Sequence, residues 1–94
     1  MKISIAQFGT SLVGRDVGQS AYEALYANVL RGLPENETIE VDFAGVDVLT
    51  PSWAENFFGA LHKQYGQRVI LVPSDNTSVR STLAFITKGS SASE

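Results

Sequence analysis

The chain has 94 residues, a length that suits one small domain and leaves little room for a second. Hydrophobic residues make up 44% of it and charged residues 18%, the mixture of a globular protein rather than a disordered one. The formal net charge of −3 argues against nonspecific nucleic-acid binding, and the absence of cysteine excludes disulfides, thiolate metal sites and a cysteine nucleophile.

Two strands are predicted at the start of the chain. The segment KISIAQF alternates, with Ile3 and Ile5 on one face, and this pattern predicts the first strand. Residues 8–13 contain a Gly-Thr pair and then Leu12 and Val13. We interpret them as a hairpin turn that leads into a short second strand.

The first helix is predicted after Gly14, where apolar residues recur every four positions and form one core face. Its start has the spacing of a capping box at two alternative places, Asp16 with Gln19 or Ser20 with Glu23. Gly32 ends it. The apolar line is Val17, Ala21, Leu25 and Val29.

The next strand is predicted over residues 39–43. Ile39, Val41 and Phe43 point one way, and Glu40 and Asp42 point the other. Acidic residues at alternate positions indicate a strand face that is only partly covered, or a partner for Asp42.

The second helix begins near Pro51 and ends at Gly66, with Trp53, Phe57 and Leu61 in one line at steps of four. The apolar run 69–72 is typical of a buried parallel strand. A third helix follows, capped by Asp75 or Asn76 and ended by Lys88 and Gly89. Its apolar line is Val79, Leu83 and Ile86.

Strands that alternate with helices imply a mostly parallel sheet with right-handed crossovers. The predicted fold is therefore α/β, a small sandwich of a mixed, mostly parallel four-stranded sheet with about three helices. Residues 1–88 are predicted to form a single domain, and 89–94 a disordered polar tail. The core is predicted to include Ile39, Val41, Phe43, Val69 and Leu71.

Three segments match a known family: FGTSLVGRDVG, IEVDFAGVDVLTPSWAENFFGAL and VILVPSDNTSVRSTLAFI. On these segments the chain resembles the STAS-like domain family of bacteria and phages, a branch described as a domain of unknown function. The resemblance covers residues 3–87 and implies the STAS-like α/β fold.

The family is similar in turn to the STAS domains of anti-sigma factor antagonists. Those domains carry a phosphorylatable serine at the N-terminus of the helix after the third strand, in the motif Asp-Ser-Ser-Gly-Leu. Here residues 50–54 read Thr-Pro-Ser-Trp-Ala, so Pro51 stands at the usual acceptor position and Ser52 is its neighbour. The resemblance implies a regulatory module that a switch kinase phosphorylates, releasing its partner.

Two hydroxyl residues, Thr50 and Ser52, flank Pro51 at the start of the second helix. Thr50 as N-cap would place Pro51 at the first helical position, whereas Ser52 as N-cap would form a capping box with Glu55. The hydroxyl that does not cap is the candidate phospho-acceptor, because a phosphate there would meet helix N–H groups and the positive end of the helix dipole. The alternative is that these hydroxyls serve helix capping alone. Trp53, either a core residue or an interface anchor, and Glu55 complete the predicted partner-binding site.

Two charged residues are further candidates for ligand binding or for a structural role. Arg15 precedes the first helix and would clamp an anion or a partner carboxylate, or else pair with an exposed acidic residue. Asp42 lies at the C-terminal part of a central strand, where it would bind a cation or accept a hydrogen bond from a loop, or else face solvent.

The sequence favours a non-enzymatic regulatory module that docks a signalling partner through the exit of the third strand and the start of the second helix. The resemblance implies a histidine-kinase-like ATPase as one such partner. The alternative is a small-ligand or nucleotide-binding domain that uses strand ends and helix N-termini. A hydrolase is not expected, because Ser52 and the sole histidine, His62, lie about 15 Å apart along one helix.

Neither a metal nor a cofactor is expected, since there is one histidine and no cysteine. The N-terminal residues lack the apolar core of a signal peptide, and no apolar run approaches the roughly 20 residues of a membrane helix. We therefore expect a cytoplasmic protein of bacterial or phage type, with no membrane or nucleic-acid partner. The oligomeric state is left open.

Overall fold

Five short strands and three helices account for most of the computed structural model, which describes residues 1–92, with side chains through Ile86. The strands are β1 (Lys2–Ser4), β2 (Ser11–Leu12), β3 (Ile39–Asp42), β4 (Val48–Leu49) and β5 (Val69–Leu71). The helices are α1 (Arg15–Asn28), α2 (Pro51–Tyr65) and α3 (Thr77–Ala92). Single 3₁₀ turns cover Ile5–Phe8, Leu30–Gly32 and Gly66–Arg68.

The strands form two small sheets, a three-stranded one in the order β1-β3-β5 and a two-stranded one of β2 and β4. Every pair is parallel. The α/β class with three helices is therefore confirmed, whereas the single four-stranded mixed sheet is wrong. The predicted hairpin over 8–13 is wrong for the same reason: β2 pairs with the distant β4, and a 3₁₀ turn separates it from β1.

Two stretches of chain, residues 2–12 and residues 39–49, run side by side and pair twice. β1 pairs with β3, both stretches then leave the sheet, and they resume pairing as β2 and β4. Lys2 pairs with Glu40 but Ser11 with Val48, so the first stretch uses one more residue between the two pairings. The two excursions pack against each other at Gly45, whose φ of +91° suits glycine and where a Cβ would lie 3.1 Å from that of Ala6.

Helices cover one face of the three-stranded sheet. The chain crosses from β1 to β3 and on to β5 in the same direction, and right-handed crossovers in one direction place α1 and α2 on the same face. Burial follows this arrangement: Ile3 and Val41 are buried while Lys2, Ser4 and Glu40 are exposed. Fully buried side chains include Ile5, Leu12, Leu30, Ile39, Leu49, Trp53, Phe57, Leu61 and Val79.

The predicted core residues lie on one face of the sheet but differ in burial. Ile39, Val41 and Phe43 are buried, as predicted. Val69 is partly buried against the core. Leu71 is 36% exposed, so its predicted place in the core is wrong; β5 is an edge strand, which has a neighbour on one side only.

Helix α1 deviates from its predicted apolar line at both ends. Val17 and Val29 are 55% and 39% exposed, because the buried face of the helix runs through Gly18 and Leu25, and Val29 lies just beyond the helix end. Gly14 occupies the N-cap position and no side chain caps the helix, so neither predicted capping box forms. The first turn of α1 approaches α2 closely at Gly18, where a Cβ would lie 2.4 Å from the carbonyl oxygen of Trp53.

Helix α3 is fixed to the rest of the molecule by polar side chains of its first turns. The Oδ1 atom of Asn76 accepts the Val79 N–H at 3.0 Å, which confirms Asn76 as the N-cap. Ser78 Oγ accepts the Leu49 N–H at 3.0 Å, and the Leu49 carbonyl accepts hydrogen bonds from the hydroxyls of Ser78 and Thr82. These contacts occupy the edge of β4 that β2 leaves free.

The end of α3 differs from the prediction. The helix continues through Ala92, past the predicted stop at Lys88 and Gly89, because a glycine lowers helix propensity without forbidding the helix. The predicted tail 89–94 thus shares its first four residues with the helix. Residues 93 and 94 lie outside the described residues.

Candidate functional site

Helices α1 and α2 begin at the same end of the small sheet. Leu12 and Leu49, the last residues of β2 and β4, are paired in parallel register. Arg15 starts α1 and Pro51 starts α2 a few residues beyond them. The carboxyl ends of parallel strands and the following helix N-termini are where α/β proteins place their binding residues. Most of the predicted site residues lie at this end.

Thr50 is the N-cap residue of α2 by position, and Pro51 occupies the first turn, as one of the two capping alternatives predicted. Its hydroxyl does not cap the helix, however. It donates to the carbonyl oxygen of Leu12 at 2.9 Å, next to the bond from the Thr50 N–H to the same carbonyl. The prediction of a hydroxyl cap is wrong because Thr50 uses its hydroxyl to join the ends of β2 and β4.

Ser52 is exposed in the first turn of α2. Its Oγ lies 3.4 Å from that of Thr50, and its carbonyl accepts the Asn56 side-chain amide at 2.8 Å. The alternative capping box with Glu55 is wrong, because the helix has already begun at Pro51. Of the two hydroxyls, that of Ser52 is the more accessible one.

Trp53 belongs to the core. Its side chain is 0% exposed and stacks on Phe57 with ring centroids 4.8 Å apart. The core interpretation is confirmed, and the interface-anchor interpretation is wrong because a fully buried ring presents no surface to a partner. The Trp53 Nε1 atom and the Tyr22 hydroxyl are buried without a hydrogen-bond partner, so both side chains act here through packing.

Three exposed valines surround the end of the β2–β4 pair, and the sequence analysis did not identify them. Val13, Val17 and Val48 are 54%, 55% and 39% exposed. Because side chains alternate along a strand, Val48 and Val13 lie on the outward face while Leu49 and Leu12 lie inward. Val17 lies beside Gly14, one residue beyond Val13. The signal that could have identified them is the alternation along each strand: Val13 follows the buried Leu12, and Val48 precedes the buried Leu49.

Arg15 is exposed as the first residue of α1. It is therefore at the same end of the molecule as Ser52, as the prediction of a ligand- or partner-binding role requires. Glu55 is exposed one turn further along α2 and borders a separate groove described below.

Asp42 has structural partners. Its Oδ1 accepts the Ala44 N–H at 3.1 Å, and its Oδ2 lies 3.4 Å from Lys2 Nζ on the open face of the sheet. The hydrogen bond from the Ala44 N–H, with help from Lys2, lowers the pKa of the Asp42 carboxyl. Asp42 thus has a partner, as predicted, and its contact with Lys2 joins the neighbouring strands β1 and β3.

A groove of about 460 Å³ opens beside the β5 edge of the sheet, between α2, β5 and α3. We call it the β5 groove. Its floor is apolar and its border on α2 is polar. The lining residues are Glu55, Phe58, Gly59, His62, Lys63, Val69, Leu71 and Ile86.

Within the part of the chain that the structure describes, no three His, Asp or Glu side chains converge as metal ligands would. In the same residues no helix combines the length and the apolar character needed to cross a membrane.

The chain matches the model of a known protein family. The model of a family described as STAS-like domain of unknown function (DUF4325) matches residues 23–79, more than half of the chain. The chain belongs to this family. No curated protein and no solved structure matches the sequence significantly.

The matched part of the STAS-like domain runs from α1 to the start of α3. It contains Asp42, the start of α2 with Thr50 and Ser52, and β5. Arg15 and Val13 lie before it, so the paired strand end combines family-matched residues with residues outside the match.

Proposed function

We propose that this STAS-like domain is a non-enzymatic regulatory module that binds a protein partner at the shared start of α1 and α2. Its docking face consists of Val13, Arg15, Val17, Val48 and Ser52. The observation that carries the proposal is that three exposed valines and an accessible serine lie at the same end of the β2–β4 pair.

Apolar contact supplies the affinity in this proposal. Burying apolar surface stabilises a complex by about 25 cal/mol per Å² before the costs of association are subtracted. The three valines are each more than a third exposed, so they have surface left to bury. An apolar centre with a polar border is the usual anatomy of a protein interface. Arg15 and Ser52 provide polar groups at its border.

Ser52 is the regulatory residue of the proposal. The Thr50 hydroxyl is engaged by the Leu12 carbonyl, whereas Ser52 is exposed, so a kinase would reach Ser52 more readily. A phosphate there would add about 1.5–2 negative charges beside the three valines. Such a charge would oppose docking of an acidic or apolar partner surface. By the family resemblance, a histidine-kinase-like ATPase is the partner to test first.

The matched variants are Val48→Asp and Val29→Asp. Both valines are 39% exposed, but Val29 follows the far end of α1. With a purified histidine-kinase-like ATPase as the probe, calorimetry should show binding that Val48→Asp reduces at least tenfold, equivalent to about 1.4 kcal/mol, and that Val29→Asp leaves unchanged. Equal losses in the two variants would contradict the proposed face.

A second experiment tests the phosphorylation. The domain is incubated with the same ATPase and ATP, and mass spectrometry locates any phosphate. We expect phosphate on Ser52 and none on Thr50, with Ser52→Ala abolishing it. Catalytic turnover by the purified domain itself, on any substrate, would contradict the non-enzymatic part of the proposal.

The small-ligand or nucleotide alternative uses the same end of the molecule. It is favoured by Arg15, a cation on the first turn of one helix at the end where a second helix also begins. Titration with ATP followed by NMR distinguishes the two functions. Saturable shifts of the amides of residues 14–18 and 51–54, lost in Arg15→Gln, would favour the ligand.

A further inference from the structure

The two edges of the three-stranded sheet differ in how they are protected. Natural sheets protect exposed edges with charges, bulges or cover, because unpaired backbone groups recruit other strands. On β1 the exposed Lys2 lies at the edge, and the preceding amino group binds Glu37 and the Thr38 carbonyl. A 3₁₀ turn follows this strand at once.

A 3₁₀ turn also adjoins β5, but the β5 strand itself carries no charge, and Arg68 in that turn binds the carbonyls of Glu37 and Pro34. Residues 69–72 are Val-Ile-Leu-Val, without a charge, and Ile70 and Leu71 are 46% and 36% exposed. An apolar edge strand with exposed side chains is a site for pairing with another strand.

Backbone geometry shows which groups are available. The Val72 N–H donates to the Val41 carbonyl of β3 at 2.9 Å, while Leu71 is the residue in register with Val41. In a parallel pair with this pattern, Ile70 and Val72 direct their N–H and C=O groups to β3. Val69 and Leu71 therefore direct theirs to the open edge.

This spacing suits antiparallel pairing of β5 with its own copy. A two-fold axis beside Ile70 would place Val69 opposite Leu71 of the second copy, and each such pair exchanges two hydrogen bonds. The two Ile70 residues would then face each other as a non-hydrogen-bonded pair, with Cα atoms about 4.5 Å apart.

Charges on the border of the β5 groove are also self-complementary. Glu55 and Lys63 lie two turns apart on α2, about 12 Å along the axis, and both line the groove. A two-fold axis at β5 sets the α2 helices of the two copies antiparallel. The end of α2 that carries Glu55 in one copy then lies next to the end that carries Lys63 in the other copy.

We infer that the β5 edge and the β5 groove form the contact surface for a second copy of this chain, producing a continuous six-stranded sheet across a two-fold axis. The hydrogen-bond register, the uncharged apolar edge and the charge pattern support this occupant. The inference does not depend on the proposed function, since the docking face uses other residues.

The decisive experiment introduces one cysteine into a chain that has none. In the Ile70→Cys dimer the two residue-70 Cα atoms would lie about 4.5 Å apart, within the range of about 4.4–6.8 Å that disulfides span. Mild oxidation should link this variant into a dimer seen on a non-reducing gel. The control is Ser4→Cys, exposed on the same face but at the β1 edge, which should stay unlinked. Equal cross-linking of the two variants would overturn the inference.

Reversible association supplies the second test. Sedimentation equilibrium of the unmodified chain should show dimers, and Ile70→Lys should weaken them at least about tenfold because like charges would face each other. Glu55→Lys and Lys63→Glu should each weaken the dimer, and the double variant should restore it.

Circular dichroism confirms that each variant is folded. Failure of the double variant to restore association would overturn the two-fold arrangement. A chain that stays monomeric, yet whose residues 69–72 shift in NMR spectra on addition of a partner protein, would replace the second copy with a partner strand and overturn the inference as well.

Discussion

Gly18→Ala tests a close approach between α1 and α2. A Cβ at this position would lie 2.4 Å from the carbonyl oxygen of Trp53 and 3.0 Å from its Cα. Both are backbone atoms, so no side-chain rotation relieves the clash. Since ordinary contact begins near 3.4 Å, the two helices must separate by about 1 Å.

The expected cost follows from two opposing effects. Glycine to alanine inside a helix normally stabilises by about 0.5–1 kcal/mol. Overpacking that forces backbone shifts costs about 1–3 kcal/mol, and here it also disturbs the stack of Trp53 on Phe57. We therefore expect a net loss of about 1–2 kcal/mol in the free energy of unfolding, or a fall in Tm of about 4–15 °C for a chain of this size.

Urea denaturation followed by Trp53 fluorescence measures this free energy, and Gly59→Ala is the matched control. Gly59 lies inside α2, and a Cβ there would meet nothing within 4 Å, so this variant should gain about 0.5–1 kcal/mol. The measurement is made at a protein concentration low enough to keep the chain monomeric. A Gly18→Ala variant as stable as the wild type, or a destabilised Gly59→Ala, would refute the reasoning.

Three further predictions concern the core, the α3 cap and acid sensitivity. Phe43→Ala should lose about 3–5 kcal/mol in urea denaturation, because Phe43 is 2% exposed and packs on Phe58; a loss under about 1 kcal/mol would contradict its place in the core. Asn76→Ala should cost about 1–2 kcal/mol by removing the cap and the bonds from its amide to the Val46 and Asp47 carbonyls, whereas Asp75→Ala, at the exposed neighbouring position, should change stability by less than about 0.5 kcal/mol. The folded state lowers the pKa of Asp42 through the Ala44 N–H and Lys2, so this contribution is complete above the ordinary carboxyl pKa of about 3.9 and is lost as the pH falls through the lowered value. The Tm advantage of the wild type over Asp42→Asn should therefore shrink between about pH 5 and pH 2, and a constant difference would contradict the assignment.

The sequence predicted the elements whose pattern is long. Trp53, Phe57 and Leu61 repeat over about two turns of one helix, and all three are buried as expected. The alternation at Ile39 and Val41 likewise identified the covered face of β3. Periodicity over several residues is informative because one buried face must satisfy every repeat.

The strands β2 and β4 were the elements that the sequence could not place. Each has two residues, too few for an alternating pattern, and each pairs with a partner more than thirty residues away in the sequence. A Gly-Thr pair after the first strand therefore predicted a hairpin where the chain makes a 3₁₀ turn. The exposed valines of the docking face depend on this pairing, so they were missed too.

At the start of α2 the residue types predicted the position of the helix start but not the hydrogen-bond partners of the side chains. A threonine before Pro51 predicts an N-cap position, and Thr50 occupies it. Which acceptor its hydroxyl chooses depends on Leu12, a residue brought there by the fold. The contact at Gly18 could not be predicted for the same reason, since a glycine within a helix does not indicate which residue packs against it.

The attachment of Leu49 to α3 makes one amide proton a local reporter. The Leu49 N–H is held by the Ser78 hydroxyl, whereas the neighbouring Thr50 N–H is held by a strand carbonyl. Detachment of α3 alone would free the first proton and leave the second protected, while global unfolding would free both. Hydrogen exchange at these two adjacent amides therefore separates the motion of the last helix from the opening of the whole domain.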